Sequence, residues 1–146
     1  MQYIPIHKLQ VVRETTLKTE SKKILCTADA GRIVLDFFDW LASPQENFIV
    51  LTMDTKGVVT GVSVITLGTL DASLVHPREV FRYAILQSAS SIVVAHNHPS
   101  GDITPSKEDK MVTTRLRDAA KILGIDLKDH IIAGDGKYYS FAEGGW

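Results

Sequence analysis

A single cysteine, Cys26, stands in the 146 residues. It allows no internal disulfide and no cysteine-based zinc cluster, so any metal this chain holds must use histidine and carboxylate ligands. Long apolar runs are missing as well. Stretches such as Phe48 to Met53 and Ile92 to Ala95 fall far short of the ~20 residues that a spanning helix requires, and no membrane segment or membrane partner is expected. The opening residues Met1 to Ile6 lack a basic flank, an apolar region and a small-residue cleavage site. No secretory signal is read there, and the expected compartment is the cytoplasm. Excess charge of either sign is also absent: 16 basic and 17 acidic residues give a net charge of −1. The electrostatic footprint of a dedicated nucleic-acid binder is therefore missing, although a local basic face can still form on folding.

What remains is the make-up of one globular domain. The length is adequate to bury a core without staples, and 45% hydrophobic with 23% charged residues exclude a disordered or collagenous chain. Residues 2–27 mix β-branched and charged residues, as in Leu9-Gln10-Val11-Val12, which predicts an extended edge segment or short strand. From Asp29 as N-cap, Ile33, Phe37, Phe38 and Leu41 recur at helical spacing until Ser43-Pro44, predicting a helix over 30–42 with its Phe and Trp residues in the core. Phe48 to Met53 reads as a buried strand that turns at Asp54-Thr55-Lys56-Gly57 into a β-rich run, Val58 to Leu67, making a hairpin. Pro77 starts a second helix carrying the stripe Val80, Phe81, Ala84, Ile85 and Ala89. Ser91 to Ala95 is a short strand that runs into the polar loop His96 to Asp102. A third helix is expected from Thr104-Pro105 to Leu123, with Met111, Leu116, Ala119, Ala120 and Leu123 inward and Gly124 as its stop. Ile125 to Ala133 and Lys137 to Phe141 close the chain as strands. No repeat or linker interrupts it, and the order predicts an α/β or α+β fold in three layers, one mixed sheet flanked by helices.

His96 and His98 stand two apart at a strand end, so their side chains leave the same face and can converge. Seven residues then separate His98 from Ser106, and two more separate Ser106 from Asp109. Two imidazoles and a carboxylate make a three-ligand zinc site with an open fourth position, the pattern of catalytic zinc. Zinc in such a site acidifies water to a pKa of roughly 7, and a nearby carboxylate can carry the proton to a leaving amine. Ser106-Lys107-Glu108-Asp109 is also a capping-box pattern, in which Asp109 would only bond back to the helix start. Pro105 argues otherwise: proline prefers the first helical position, which puts the cap at Thr104 and leaves Asp109 free inside the helix.

The string His96-Asn97-His98-Pro99-Ser100-Gly101-Asp102, continuing through Pro105-Ser106 and Asp109, resembles the JAMM/MPN (JAB domain) metalloprotease-like family and, within it, the bacterial RadC-like proteins. Val75-His76-Pro77-Arg78-Glu79, Asp129-His130-Ile131-Ile132 and Glu46 extend the likeness over residues 44–144. The resemblance implies a cytidine-deaminase-like/JAMM architecture over residues 44–146, with residues 1–43 as an N-terminal extension packed on it. It also implies zinc held by His96, His98 and Asp109, Glu46 as acid/base and Ser106 at the oxyanion. From first principles Glu79 and Glu108 are further carboxylates, but Glu108 points about 100° away from Asp109 on a helix, and Glu79 serves a helix dipole. Asp129 and His130 are read either as orienting a ligand from behind or as a buried structural pair, and Cys26 as a residue without chemistry. Longer RadC-like proteins carry an N-terminal helix-hairpin-helix region associated with DNA, and residues 1–43 show no such glycine-centred hairpin. The expected function is thus a zinc hydrolase acting on an amide or isopeptide bond in a peptide or protein. The alternative is a DNA repair or recombination accessory protein whose metal site is structural or vestigial. A two-metal nuclease is disfavoured because the carboxylate cluster it needs is lacking.

Overall fold

The computed structural model describes residues 1–68 and 75–146. Its elements run α1 (Thr27–Leu41), β1 (Asn47–Met53), β2 (Val59–Leu67), α2 (Pro77–Leu86), β3 (Ser91–Asn97), α3 (Lys107–Leu123), β4 (Asp126–Gly134) and β5 (Lys137–Ser140). The strands form one sheet in the order β2-β1-β3-β4-β5. Among the described residues only β3 and β4 are parallel, joined by the α3 crossover, and the other pairs are antiparallel. The fold is a mixed-sheet α+β domain in three layers.

Strand alternation divides the core in two. Phe48, Val50, Ile92 and Val94 face one side, where α2 lays Val80, Phe81 and Ala84 and α3 lays Val112, Leu116 and Ala120. Ile49, Leu51, Met53, Val93 and Ala95 face the other, against Ala30, Ile33, Val34 and Phe37 of α1. His96 has the parity of Ile92 and Val94, so it falls on the α3 side. That parity decides where the site lies.

Several expectations need correction. The strand expected within 2–27 reduces to one antiparallel bridge, Lys23 to Val58, and residues 1–16 are exposed; β-propensity without a partner strand makes no strand. Asp29 is not the cap of α1. Cys26 occupies that position, and Asp29, in the first turn, reaches back to accept the Leu25 N–H at 2.8 Å. Trp40 is half exposed rather than core. On α2, Ile85 is exposed and Ala89 lies past the helix end. Helix α3 starts at Lys107 with Ser106 as its cap, not Thr104; the Thr104 N–H is taken by Asp102 Oδ1 at 3.0 Å, so Pro105 precedes the helix. Met111 and Leu123 face solvent. Among the described residues no helix is long and apolar enough to cross a membrane.

Candidate metal centre

The C-terminal end of β3 sets the first ligand position. His96 is fully buried, stacked on Phe48 with ring centroids 6.1 Å apart. His98 leaves the strand while its N–H still bonds the Ala133 carbonyl of β4 at 2.8 Å, and its own carbonyl accepts from Gly101 N–H at 3.0 Å. The positive φ of Gly101, 85°, turns the chain toward α3 in a conformation that other residues rarely adopt. Asp109 then arrives from the first turn of α3, only 2% exposed.

Among the described residues, His96, His98 and Asp109 are the group of three that can offer ligand atoms to one ion. His96 Nε2 lies 3.0 Å from Asp109 Oδ1 and 3.0 Å from His98 Nε2, and His98 Nε2 is 3.3 Å from Asp109 Oδ2. His98 Nδ1 sits 2.6 Å from the Asp102 carbonyl. A carbonyl only accepts, so Nδ1 carries the hydrogen and Nε2 of the neutral ring keeps a lone pair. The cluster is thus built from electron-pair donors facing one another, which is stable only around a proton or a metal cation. Two imidazoles and a carboxylate fit zinc in type and number.

The electrostatics agree. Burial alone would raise the Asp109 carboxyl, but the facing imidazoles of His96 and His98, which donate to it when protonated, hold it far below the usual range, helped by the Ser106 N–H. His98 is raised by its bond to Asp109, with burial opposing and the charge of Glu46 adding. His130 is pushed well down by complete burial.

The capping box and the cluster coexist. Ser106 Oγ accepts the Asp109 N–H at 3.0 Å, and Asp109 Oδ2 accepts the Ser106 N–H at 2.8 Å, while the same carboxylate faces both imidazoles. The expectation that Asp109 had to escape the cap in order to ligate is overturned: a carboxylate has lone pairs enough for both. Ser106 is exposed beside it. Glu46 is half-buried just before β1, its carbonyl accepting Gly68 N–H at 2.8 Å.

Sequence reasoning gave Asn97 no role. Its amide bonds the Gln45 carbonyl at 3.0 Å and accepts the Asn47 N–H at 2.7 Å, so the residue between the two histidines clamps both neighbours of Glu46. Glu79 lies on α2 in ion pairs with Arg82 and Arg78, and Glu108 is exposed. The Asp129-His130 pair separates. Asp129 braces β4 against the C-terminal turn, accepting from Ser140 Oγ at 2.6 Å, His130 N–H at 2.8 Å and Ala142 N–H at 3.1 Å. His130 points to the cluster, 2.8 Å from His96 Nδ1. Cys26 is exposed, its thiol 3.6 Å from Asp29.

Fold and site together define an α+β domain with a candidate His-His-Asp metal centre at the end of a parallel strand pair. Residues 24–146 match the family model of the RadC-like JAB domain, and the chain belongs to that family. Relatives include UPF0758 proteins of Staphylococcus carnosus, 56% identical over 102 residues (70% of this chain, 45% of the relative), and of Methanosarcina acetivorans, 52% identical over 102 residues (70% and 44%). A Clostridium botulinum UPF0758 protein is 41% identical over 145 residues, which is 99% of this chain and 63% of that protein. The chain therefore spans less than two thirds of the relatives it matches.

Proposed function

We propose that this protein is a zinc-dependent hydrolase of the JAMM type, cleaving an amide or isopeptide bond in a peptide or protein substrate. The observation that supports it is the convergence of His96 Nε2, His98 Nε2 and an Asp109 carboxylate within 3.0–3.3 Å, with His98 tautomerically fixed to face inward. Zinc held by these three residues would supply Lewis acidity and a water nucleophile at neutral pH. Glu46, whose charge is felt at His98, is the carboxylate that moves a proton to the leaving nitrogen. The Ser106 hydroxyl accepts the helix cap bond through a lone pair, so its hydrogen is left to stabilise a developing oxyanion.

Zinc content and peptide-bond cleavage measured on one preparation test this reading. The wild type should hold about one zinc per chain, and His96→Ala or His98→Ala should lose it, since two protein ligands are too few. Glu46→Gln should keep the zinc and lower the rate by about 100-fold or more. Undiminished zinc in both histidine variants would refute the ligand set. A Glu46→Gln variant of full activity would give the proton transfer to another carboxylate, and one without zinc would make Glu46 a ligand.

A further inference from the structure

His130 lies wholly inside the domain, its ring stacked on Phe141 at 4.8 Å between centroids and met edge-on by Phe48 at 5.6 Å. Its Nε2 is 2.8 Å from His96 Nδ1, and its Nδ1 is 2.6 Å from Thr113 Oγ1. Thr113 Oγ1 is in turn 2.8 Å from the backbone carbonyl of Asp109, four residues earlier on α3. One placement of hydrogens satisfies all three contacts. A carbonyl only accepts, so the single hydroxyl hydrogen of Thr113 goes to Asp109. His130 Nδ1 must then donate to Thr113 Oγ1. A neutral imidazole carries one ring hydrogen, so His130 Nε2 is an acceptor, and His96 must give it the Nδ1 hydrogen. His96 is left with a bare Nε2 beside Asp109.

We propose that His130, backed by Thr113, is a positioning residue that sets the tautomer and ring plane of His96, so that Nε2 presents a lone pair to the cluster. The proposal rests on the metal-site reading above and deepens it. The opposite polarity would put a hydrogen on His96 Nε2, facing Asp109 Oδ1, and block ligation there. It would also take the Thr113 hydrogen away from the Asp109 carbonyl, leaving two buried oxygens facing each other. The circuit closes on itself: Asp109 offers its carboxylate to the cluster and its carbonyl to the relay. Two candidate ligands from different elements are thereby oriented by one chain of bonds through β3, β4 and α3. His98 has its own, separate orienter in the Asp102 carbonyl. Outer partners of this kind typically change metal affinity about 10- to 100-fold when removed.

The test is the ring-nitrogen spectrum of His96 in metal-free, 15N-histidine-labelled protein at a pH where the ligand imidazoles are neutral, paired with zinc affinity by chelator competition. Wild type should show a protonated Nδ1 and a bare Nε2. Thr113→Val and His130→Phe, which keep volume and stacking, should shift His96 toward the Nε2–H form and weaken zinc about 10- to 100-fold. Thr113→Ser should restore both readouts. A wild-type His96 carrying its hydrogen on Nε2 would overturn the proposal, as would a Thr113→Val variant with unchanged tautomer and affinity. Should His130→Phe not fold, the Val and Ser variants at 113 decide the matter between them. A wild type that binds no zinc would end the metal reading, while the spectrum would still decide the relay.

Discussion

The carboxylate of Asp109 divides its oxygens between a helix cap and two imidazoles. Oδ2 takes the Ser106 N–H, and both oxygens lie against the histidines. Asp109→Asn keeps an oxygen for the cap while removing the charge. It should therefore lose more zinc affinity than the ~10- to 100-fold of an outer partner, yet cost the metal-free protein less than about 1 kcal/mol. Ser106→Ala should do the reverse, costing about 1 kcal/mol of stability with zinc retained. Urea midpoints and chelator competition on both variants separate the roles; equal zinc loss in the two would sink the assignment. A pH dependence follows from His98, whose hydrogen bond to Asp109 raises its folded pKa above the ordinary 6.5. The folded state binds the proton more tightly, so this stabilisation is complete below about 6.5 and is lost as pH rises through the folded value. Metal-free wild type should thus lose its advantage over His98→Ala as pH rises from below 6.5 through the raised folded value. Zinc competes for the same lone pair, and its stabilisation should grow over that interval. A pH-independent difference between the two proteins would contradict the pairing.

At the scale of elements, the loop after β3 is positioned by close backbone contact. A Cβ on Gly134 would come within 2.9 Å of the Gly101 carbonyl oxygen and 3.1 Å of its Cα, so β4 and the loop touch where only glycine fits. Gly134→Ala should cost roughly 1–3 kcal/mol by overpacking and should weaken zinc binding by displacing the loop that carries His98. Loss of stability with zinc affinity untouched would show that the loop does not transmit the strain. The same elements show what local pattern can reveal. The buried strand over 48–53, the hairpin after it and the parity of His96 and His98 were legible, because period-2 alternation is a local property. The start of α3 was misread: Pro105 fits the first turn of a helix, but the Asp102 turn ahead of it claims Thr104, leaving Ser106 to cap. Thr113 carried no signal, and for His130 the sequence left an orienting and a structural role both open, since His130 stands 34 residues from His96 and meets it through the parallel register of Val94 with His130. That register is fixed by packing across the whole sheet.

At the scale of the molecule, the candidate site sits where open α/β sheets usually place ligands, beyond the carboxyl end of a parallel strand, and at the opposite sequence end the domain begins gradually. Met1, Tyr3, Ile4, Ile6, Leu9, Val11 and Val12 are all exposed, so they supply none of the ~1.5–3 kcal/mol that a buried large apolar side chain contributes. Contact starts at Leu17, which packs on the α1 side of the core, and at Thr19, whose hydroxyl bonds Asp36 at 2.8 Å. It strengthens at Lys22 to Ile24: the Lys22 carbonyl takes Val59 N–H at 2.7 Å, Ile24 N–H reaches Gly57 at 2.9 Å, and the Ile24 side chain joins the core. Two truncations should therefore behave differently. Removing residues 1–16 should leave the guanidinium midpoint unchanged within the ~0.5 kcal/mol of an ordinary surface change. Removing 1–24 should cost several kcal/mol, because it strips two packed side chains and two backbone hydrogen bonds from the β2 end of the sheet. A large loss on the first cut would mean that the arm is bound to something in solution, and a midpoint that also depended on protein concentration would identify that partner as a second copy of the chain.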